Sequence, residues 1–193
     1  MIAVEVEAQI RACCQAAQWD DAIKLALEAY GPELLSYLVA LVRSVGDADD
    51  AFGALCEDLW RALPAFRWDS SLRTFAYTLA RHRCLKQLAR ARRASHVSLS
   101  SPSALIVVAE LRSRTATYLR TETKDRIAQL RAQLEPEDQT LLILRVNRQL
   151  AWRDIARIMS GEGAAIDLDR RAAGLRKRFE RLKSDLRAKA CMT

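Results

Sequence analysis

Scarcity of glycine and proline constrains this chain more than any other feature. Only six glycines and four prolines occur in 193 residues, and alanine, leucine and arginine dominate between them. Those residues lose little freedom in a helix. No stretch shows the two-residue apolar alternation of a half-buried strand. The expected fold is therefore all-α. The length, with 50% hydrophobic residues, is enough for one ordinary domain or two small ones.

Helical spacing and its interruptions predict the element boundaries. Residues 4–17 form a first helix, and Asp20 caps a second that runs to about Tyr30, where Gly31-Pro32 marks a break or tight join. Leu34, Leu35, Leu38, Leu41 and Val42 then keep helical spacing up to a turn at Gly46-Asp47. A helix over 49–63 carries Phe52, Leu55, Leu59 and Leu63 on one stripe, and Pro64 stops it. A short loop holds Phe66, Arg67 and Trp68. Ser70 or Ser71 caps the next helix, whose seam is Phe75, Leu79, Leu85 and Leu88.

The polar run 95–103, broken by Pro102, reads as a linker. It divides a domain at 1–94 from one at 104–193. The second domain begins with an extra leading helix striped by Leu105, Val108, Leu111, Thr115, Tyr118 and Leu119, and a further stripe follows at Ile127, Leu130 and Leu134. Pro136, with Glu137 and Asp138 behind it, is a helix start, and Leu141, Leu144, Arg145 and Leu150 carry the stripe on. The last segments form a helix-turn-helix pattern. Residues 150–159 turn Trp152, Ile155, Ala156 and Met159 inward. A longer helix from about Asp167 has a seam of Leu168, Ala172, Leu175, Phe179, Leu182 and Leu186.

Charge is unevenly spread. The net charge is +7, and the basic residues gather on two helical segments about a hundred residues apart. Arg81, Arg83, Lys86, Arg90, Arg92 and Arg93 crowd the first, while Arg170, Arg171, Arg176, Lys177, Arg178 and Arg181 lie on or beside the outward side of the second. Asp47, Asp49, Asp50, Glu57 and Asp58 make an acidic island. Two basic helices suit contact with nucleic acid at two places, and the acidic island suits a protein with a basic face. Solubility alone would explain a basic balance equally well. Taken in isolation, the last helix fits a coiled coil as well as a recognition helix.

Other chemistry finds little support. The five cysteines form no C-x-x-C pair, and His82 and His96 lack zinc-ligand spacing, so no metal or cofactor is expected. Cys56 and Cys84 fall in apolar helical phase and read as core. A chain without a disulfide framework, a signal-like leader or an apolar run near bilayer length is expected in the cytoplasm, with no membrane insertion. No Gly-rich phosphate loop or histidine-activated nucleophile points to an enzyme.

The segments Tyr30–Leu38, Asp47-Ala48-Asp49-Asp50, Leu59–Phe66, Ser71–Phe75 and Leu79-Ala80-Arg81 together resemble region 2 of the extracytoplasmic-function (ECF) sigma factors. Leu134–Asp138 through Arg145, and Trp152–Ala156, resemble region 4. The blocks follow the family's order over roughly residues 28–93 and 124–187. The resemblance implies a transcription initiation factor that binds core RNA polymerase and directs it to promoter DNA, reading the −10 element with region 2 and the −35 element with region 4. It implies polymerase contacts from Asp49, Asp50, Glu57 and Asp58. It places −10 contacts at Trp68, Ser70, Arg81, His82, Arg83, Lys86 and Arg90, where an aromatic face beside polar groups suits an unstacked base. Trp68 serves equally as core packing; Trp60 is expected in the core. Arg176, Lys177, Arg178 and Arg181 fall where the family meets −35 DNA, and Arg170 and Arg171 extend that face. The resemblance also implies an inhibitory anti-sigma partner, with residues 1–26 and 104–120 as candidate surfaces.

This chain departs from the family pattern in three places. Gly53 and Ala54 stand where the family carries Gln-Glu. His82 and Lys86 replace Asn and Asp. The turn from Ser160 to Ile166 exceeds the usual three or four residues. Gly174 would let a backbone come close, that of DNA or of the preceding helix. A stand-alone DNA-binding regulator that does not dock on polymerase is the alternative reading. A helical interaction adaptor is a further one, since residues 14–30 look like a single helical-repeat element.

Overall fold

The computed structural model describes residues 2–42, 44–93, 133–161 and 167–191. Every regular element among them is helical, which makes the protein all-α. The chain divides into two compact units, Met1–Leu119 and Arg120–Thr193. The expected linker at 95–103 and the leading helix at 104–120 lie outside the described residues, as do the stripes at Ile127 and Leu130.

The first unit contains α1 (Ile2–Gln15), α2 (Trp19–Val42), α3 (Val45–Ala62) and α4 (Leu72–Arg93). Helix α2 is the centre, packed on α1, α3 and α4, and α3 also packs on α4. The Gly31-Pro32 break does not occur: α2 runs straight through it as one 24-residue helix. Pro32 removes a backbone donor, at a cost of about 3 kcal/mol in a helix interior. Burial on both sides of it offsets that loss, since Ala22, Ala26, Tyr30, Leu34, Leu35, Leu38 and Leu41 are all in the core. The same apolarity makes α2 long and apolar enough to cross a membrane by length and composition. Here those side chains instead fill the interior between three other helices.

Gly46-Asp47 likewise lies inside a helix, not in a turn. Ser44 caps α3, its hydroxyl accepting from the Asp47 N–H at 3.3 Å, so the helix starts four residues earlier than expected. Leu55, Leu59, Leu63 and Phe52 are buried as the stripe requires, and Pro64 turns the chain through a short 3-10 segment, Leu63–Ala65. Trp60 is not core. It is 52% exposed, with its indole N–H donating to Asp20 at 3.4 Å. On α4 the seam is met in part. Leu79 is buried as expected, together with Leu72, Ala76, Tyr77, Ala80 and Cys84, whereas Leu85 is exposed. The small residues Ala76 and Ala80 lie on the buried face of α4, which packs on α2 and α3.

The first described helix of the second unit is α5 (Pro136–Leu142), with Pro136 at its first position, and it passes into a π-helical turn, Ile143–Asn147. Helix α6 (Trp152–Ser160) and helix α7 (Leu168–Cys191) complete it, and α7 packs against both α6 and α5. Leu141, Leu144, Leu150, Ile155, Ala156, Ile158 and Met159 meet Ala172, Leu175, Phe179 and Leu182 in its core. Gly161 ends α6 at φ 79°, a left-handed backbone that suits glycine. Asp167 caps α7, accepting from the N–H groups of Asp169 and Arg170 at 3.1 and 3.0 Å. Residues 162–166 of the expected long turn lie outside the described residues.

Candidate nucleic-acid and polymerase interface

The loop between α3 and α4 is built around three aromatic rings. Phe66 stacks on Phe75 of α4 with centroids 4.6 Å apart, and Trp68 tilts against Phe66 at 4.9 Å. Trp68 is half-buried: one part of the ring packs and the rest is open. Its backbone sits at φ 59°, rare for a bulky side chain and tolerated only where neighbours enforce it. The loop then ends in Ser71, which caps α4 by accepting from the Thr74 N–H at 3.0 Å. Ser70 is half-buried beside it.

Sequence reasoning missed two residues of α1 that reach this loop. The Glu7 carboxylate accepts from the N–H groups of Leu72 and Arg73, both at 2.9 Å, and from the Tyr30 hydroxyl at 3.0 Å. It therefore satisfies the first orphan donors of α4 with a negative charge placed at the helix's positive end. Burial, reinforced by that carboxylate, pushes the Tyr30 phenol well above its usual range. One turn further along α1, the Arg11 guanidinium lies over the Trp68 ring, 5.3 Å from its centroid. Only the i, i+4 spacing of Glu7 and Arg11 could have hinted at a shared face, and that spacing alone names no partner.

The cations of α4 divide into two sets. Arg73 forms a two-pronged pair with Glu33 of α2 at 2.7 and 2.8 Å, and Arg83 forms another with Asp58 of α3. Both guanidinium pKa values rise, chiefly because the paired carboxylates hydrogen-bond the charged form. Arg83 and Asp58, expected at different interfaces, thus face each other inside the unit. Arg81 is half-buried. His82, Lys86 and Arg90, at successive four-residue steps, form an exposed stripe. Arg92 and Arg93 continue the helix, but their side chains lie outside the described residues.

On α3 the outward side carries Asp50, Gly53, Ala54, Glu57 and Trp60. Glu57 is exposed and lies 3.6 Å from Arg61. Asp50 and Asp49 are half-buried. An exposed indole flanked by carboxylates is a surface that favours a cationic protein partner.

In the second unit α7 presents Arg170, Arg171, Arg176, Lys177 and Arg181 to solvent. Arg178 differs from them. It turns back to α5, donating to Asp138 at 2.6 Å and Glu137 at 2.8 Å, and these bonds raise its pKa. It is a tie between helices, not part of the outward face. Trp152 carries the Arg145 guanidinium 4.9 Å and that of Arg176 5.9 Å from its ring centroid, and meets Phe179 edge-on at 5.5 Å. Gly174 lies in the outward face between Arg170 and Lys177. A methyl group there would meet nothing within 4 Å, so the glycine serves no packing against the preceding helix.

Residues 26–94 match the Sigma-70 region 2 family, a span that takes in most of α2, all of α3, the aromatic loop and α4. The matched segment is similar to region 2 of the sigma factors of RNA polymerase. The chain is also 27% identical, over 140 residues, to RNA polymerase sigma factor YlaC of Bacillus subtilis (strain 168), an alignment covering 72% of this chain and 80% of that relative. Both comparisons make the chain similar to sigma factors of RNA polymerase. The family match begins after α1, so Glu7 and Arg11 lie outside the matched segment.

Proposed function

We propose that the protein is a sigma factor of the ECF type, which docks on core RNA polymerase through α3 and brings it to promoters by reading −10 DNA with the first unit and −35 DNA with the second. The observation that carries this reading is the aromatic loop at 66–70 leading directly into a helix with an exposed His82, Lys86 and Arg90 stripe. Such a loop can take an unpaired base on the open part of Trp68 while the stripe follows the phosphates of the same strand. Helices α6 and α7 act as a helix-turn-helix, with Arg170, Arg171, Arg176, Lys177 and Arg181 toward the groove and Arg178 holding the helix on its scaffold. Arginines at a groove recognise guanine edges in pairs of hydrogen bonds, while Lys177 suits a phosphate. Glu57, the exposed acid of the four, is best placed for polymerase, on the same helix as the exposed Trp60. Asp58 is engaged by Arg83, and Asp49 and Asp50 are half-buried.

An anti-sigma partner of the kind the family implies would compete for the same α3 face. The segment 1–26 suits that role poorly, because Ile10, Ala22 and Ala26 are consumed by the unit's own core. The same packing argues against an adaptor: α1 and α2 close one unit with α3 and α4 rather than offering a repeat edge. A sigma factor works where polymerase and DNA are, in the cytoplasm.

The test is fluorescence titration of the purified chain against bacterial core RNA polymerase at two salt concentrations, followed by transcription from a promoter library. Sub-micromolar core binding and start-site-specific transcripts are expected. Direct duplex binding without core binding would make the protein a stand-alone regulator, with Gly53 and Ala54 marking where polymerase docking has been given up.

A further inference from the structure

Helix α1 holds one end of the base-reading loop and touches the other. Glu7 fixes the loop's exit by capping α4, and Arg11, on the same face, lies over Trp68 within the loop. Arg11 is itself exposed, and no ion pair competes for its guanidinium among the described residues. Trp68 keeps a left-handed backbone that a tryptophan adopts only under constraint, and the contacts that constrain it are Phe66 from within the loop and Arg11 from α1. A guanidinium plane and an indole plane are the two protein surfaces on which nucleobases stack best. Their contact in one place, at the mouth of the loop, joins them into a single platform.

We propose that Arg11 is a nucleic-acid contact of the −10 site, which stacks on the unpaired base received by Trp68 and so extends the reading surface onto a helix outside the region 2 segment. This rests on the base-holding reading of the loop given above. Glu7 acts as the positioning residue: it keeps α1 in register with α4, and thereby Arg11 in register with Trp68. A base entering the loop slides between ring and guanidinium or displaces the guanidinium toward its own edge. In either case the planar cation stays against the base.

The experiment uses the full chain bound to core polymerase, as wild type, Arg11→Ala, Arg11→Lys and Trp68→Ala. The probes are single-stranded DNA oligonucleotides selected from a random pool on the wild-type complex, intact or with one abasic position in turn. For wild type, one abasic position should weaken binding by roughly tenfold, the scale of one stacked base. Arg11→Ala should bind the intact strand roughly tenfold more weakly, and lose nothing further at that abasic position. Arg11→Lys, with the charge but not the plane, should remain several-fold weaker. Core affinity should be unchanged in all three variants. The proposal is overturned if Arg11→Ala binds the intact strand as wild type does, or is weakened by the same factor on intact and abasic strands, which marks a phosphate contact only. If wild type tolerates every abasic position and Trp68→Ala binds normally, the base-holding reading of the loop is what falls. If Trp68→Ala alone is weak, that reading stands and Arg11 is excluded.

Discussion

The two units use their basic helices in opposite ways. In the first, α4 turns two arginines inward, Arg73 to Glu33 and Arg83 to Asp58, and leaves an exposed stripe of one histidine, one lysine and one arginine. In the second, α7 ties Arg178 to α5 and leaves seven cations exposed, Arg187 and Lys189 among them. Half-buried, two-pronged ion pairs fix helix against helix and hold a loop's geometry, which is what reading a splayed base requires. Apart from Arg176, which lies over the Trp152 ring, solvated cations along such a helix do little to fix it internally and can meet phosphates and base edges. One helix type therefore serves alignment in one place and display in the other.

The largest effect should come from removing display. Replacing Arg170, Arg176, Lys177 and Arg181 together by Ala should lower −35 duplex affinity of the polymerase complex by at least about 100-fold. It should also flatten the salt dependence by about 0.9 logarithmic units for each phosphate that is no longer neutralised. Thermal stability should barely change, because exposed positions seldom matter by more than about 0.5 kcal/mol. A comparable drop in stability would mean that α7 uses those cations internally. Arg176→Ala alone should cost about 1–3 kcal/mol of promoter affinity if that residue reads a base.

Removing alignment should act on stability instead. Arg83→Ala leaves a half-buried Asp58 without its partner and should cost about 2 kcal/mol in urea unfolding, between the values for exposed and fully buried pairs. Arg178→Ala should cost about 1 kcal/mol, since its partners are more exposed, and should leave the salt slope of DNA binding unchanged. A change in that slope would return Arg178 to the DNA face.

Gly174→Ala separates the two uses within one helix. With open space around it, alanine should stabilise α7 by about 0.8–1 kcal/mol. Weaker promoter binding by the more stable variant would show that the glycine is there for close approach of DNA. Unchanged binding would show that it has no role in meeting DNA.

The smallest effect concerns the thiols of the first unit. Burial pushes Cys84 up to about 11 and Cys56 up to about 12, from an ordinary 9.0. A pKa raised on folding contributes stability that is complete below pH 9 and is lost as pH rises toward 11–12, because the unfolded chain ionises first. At pH 8, both thiols should react with a disulfide reagent far more slowly in the native protein than in urea. Equal rates would mean that the α3–α4 packing opens readily.

What the sequence reveals of this molecule follows local chemistry. Pro136, Ser71 and the α7 seam are visible because a forced φ, a cap or a regular period declares itself within a few residues. The continuity of α2 through Pro32 was not legible, because tertiary burial on both sides outweighs the local penalty. The exposure of Trp60 and Leu85 was not legible either, because the face a helix turns inward is set by its packing on other helices. The pairing of Arg83 with Asp58 and of Arg178 with Asp138 spans 25 and 40 residues. Charge counts show the presence of such cations but not which ones are engaged. Glu7 and Arg11 fall in the same class.

Glu7 also sets the order in which the first unit can close. Its hydrogen bonds to Leu72 and Arg73 span 65 and 66 positions. During synthesis, α1 and α2 can pair as soon as they leave the ribosome, yet the carboxylate that holds them to α4 has no partner until residue 73 has emerged. Long-range closure of this kind is slow compared with helix formation. The nascent chain therefore exposes the inner face of α2 for as long as α3 and α4 remain in the exit tunnel, and this packing is complete only when α1 and α4 come together.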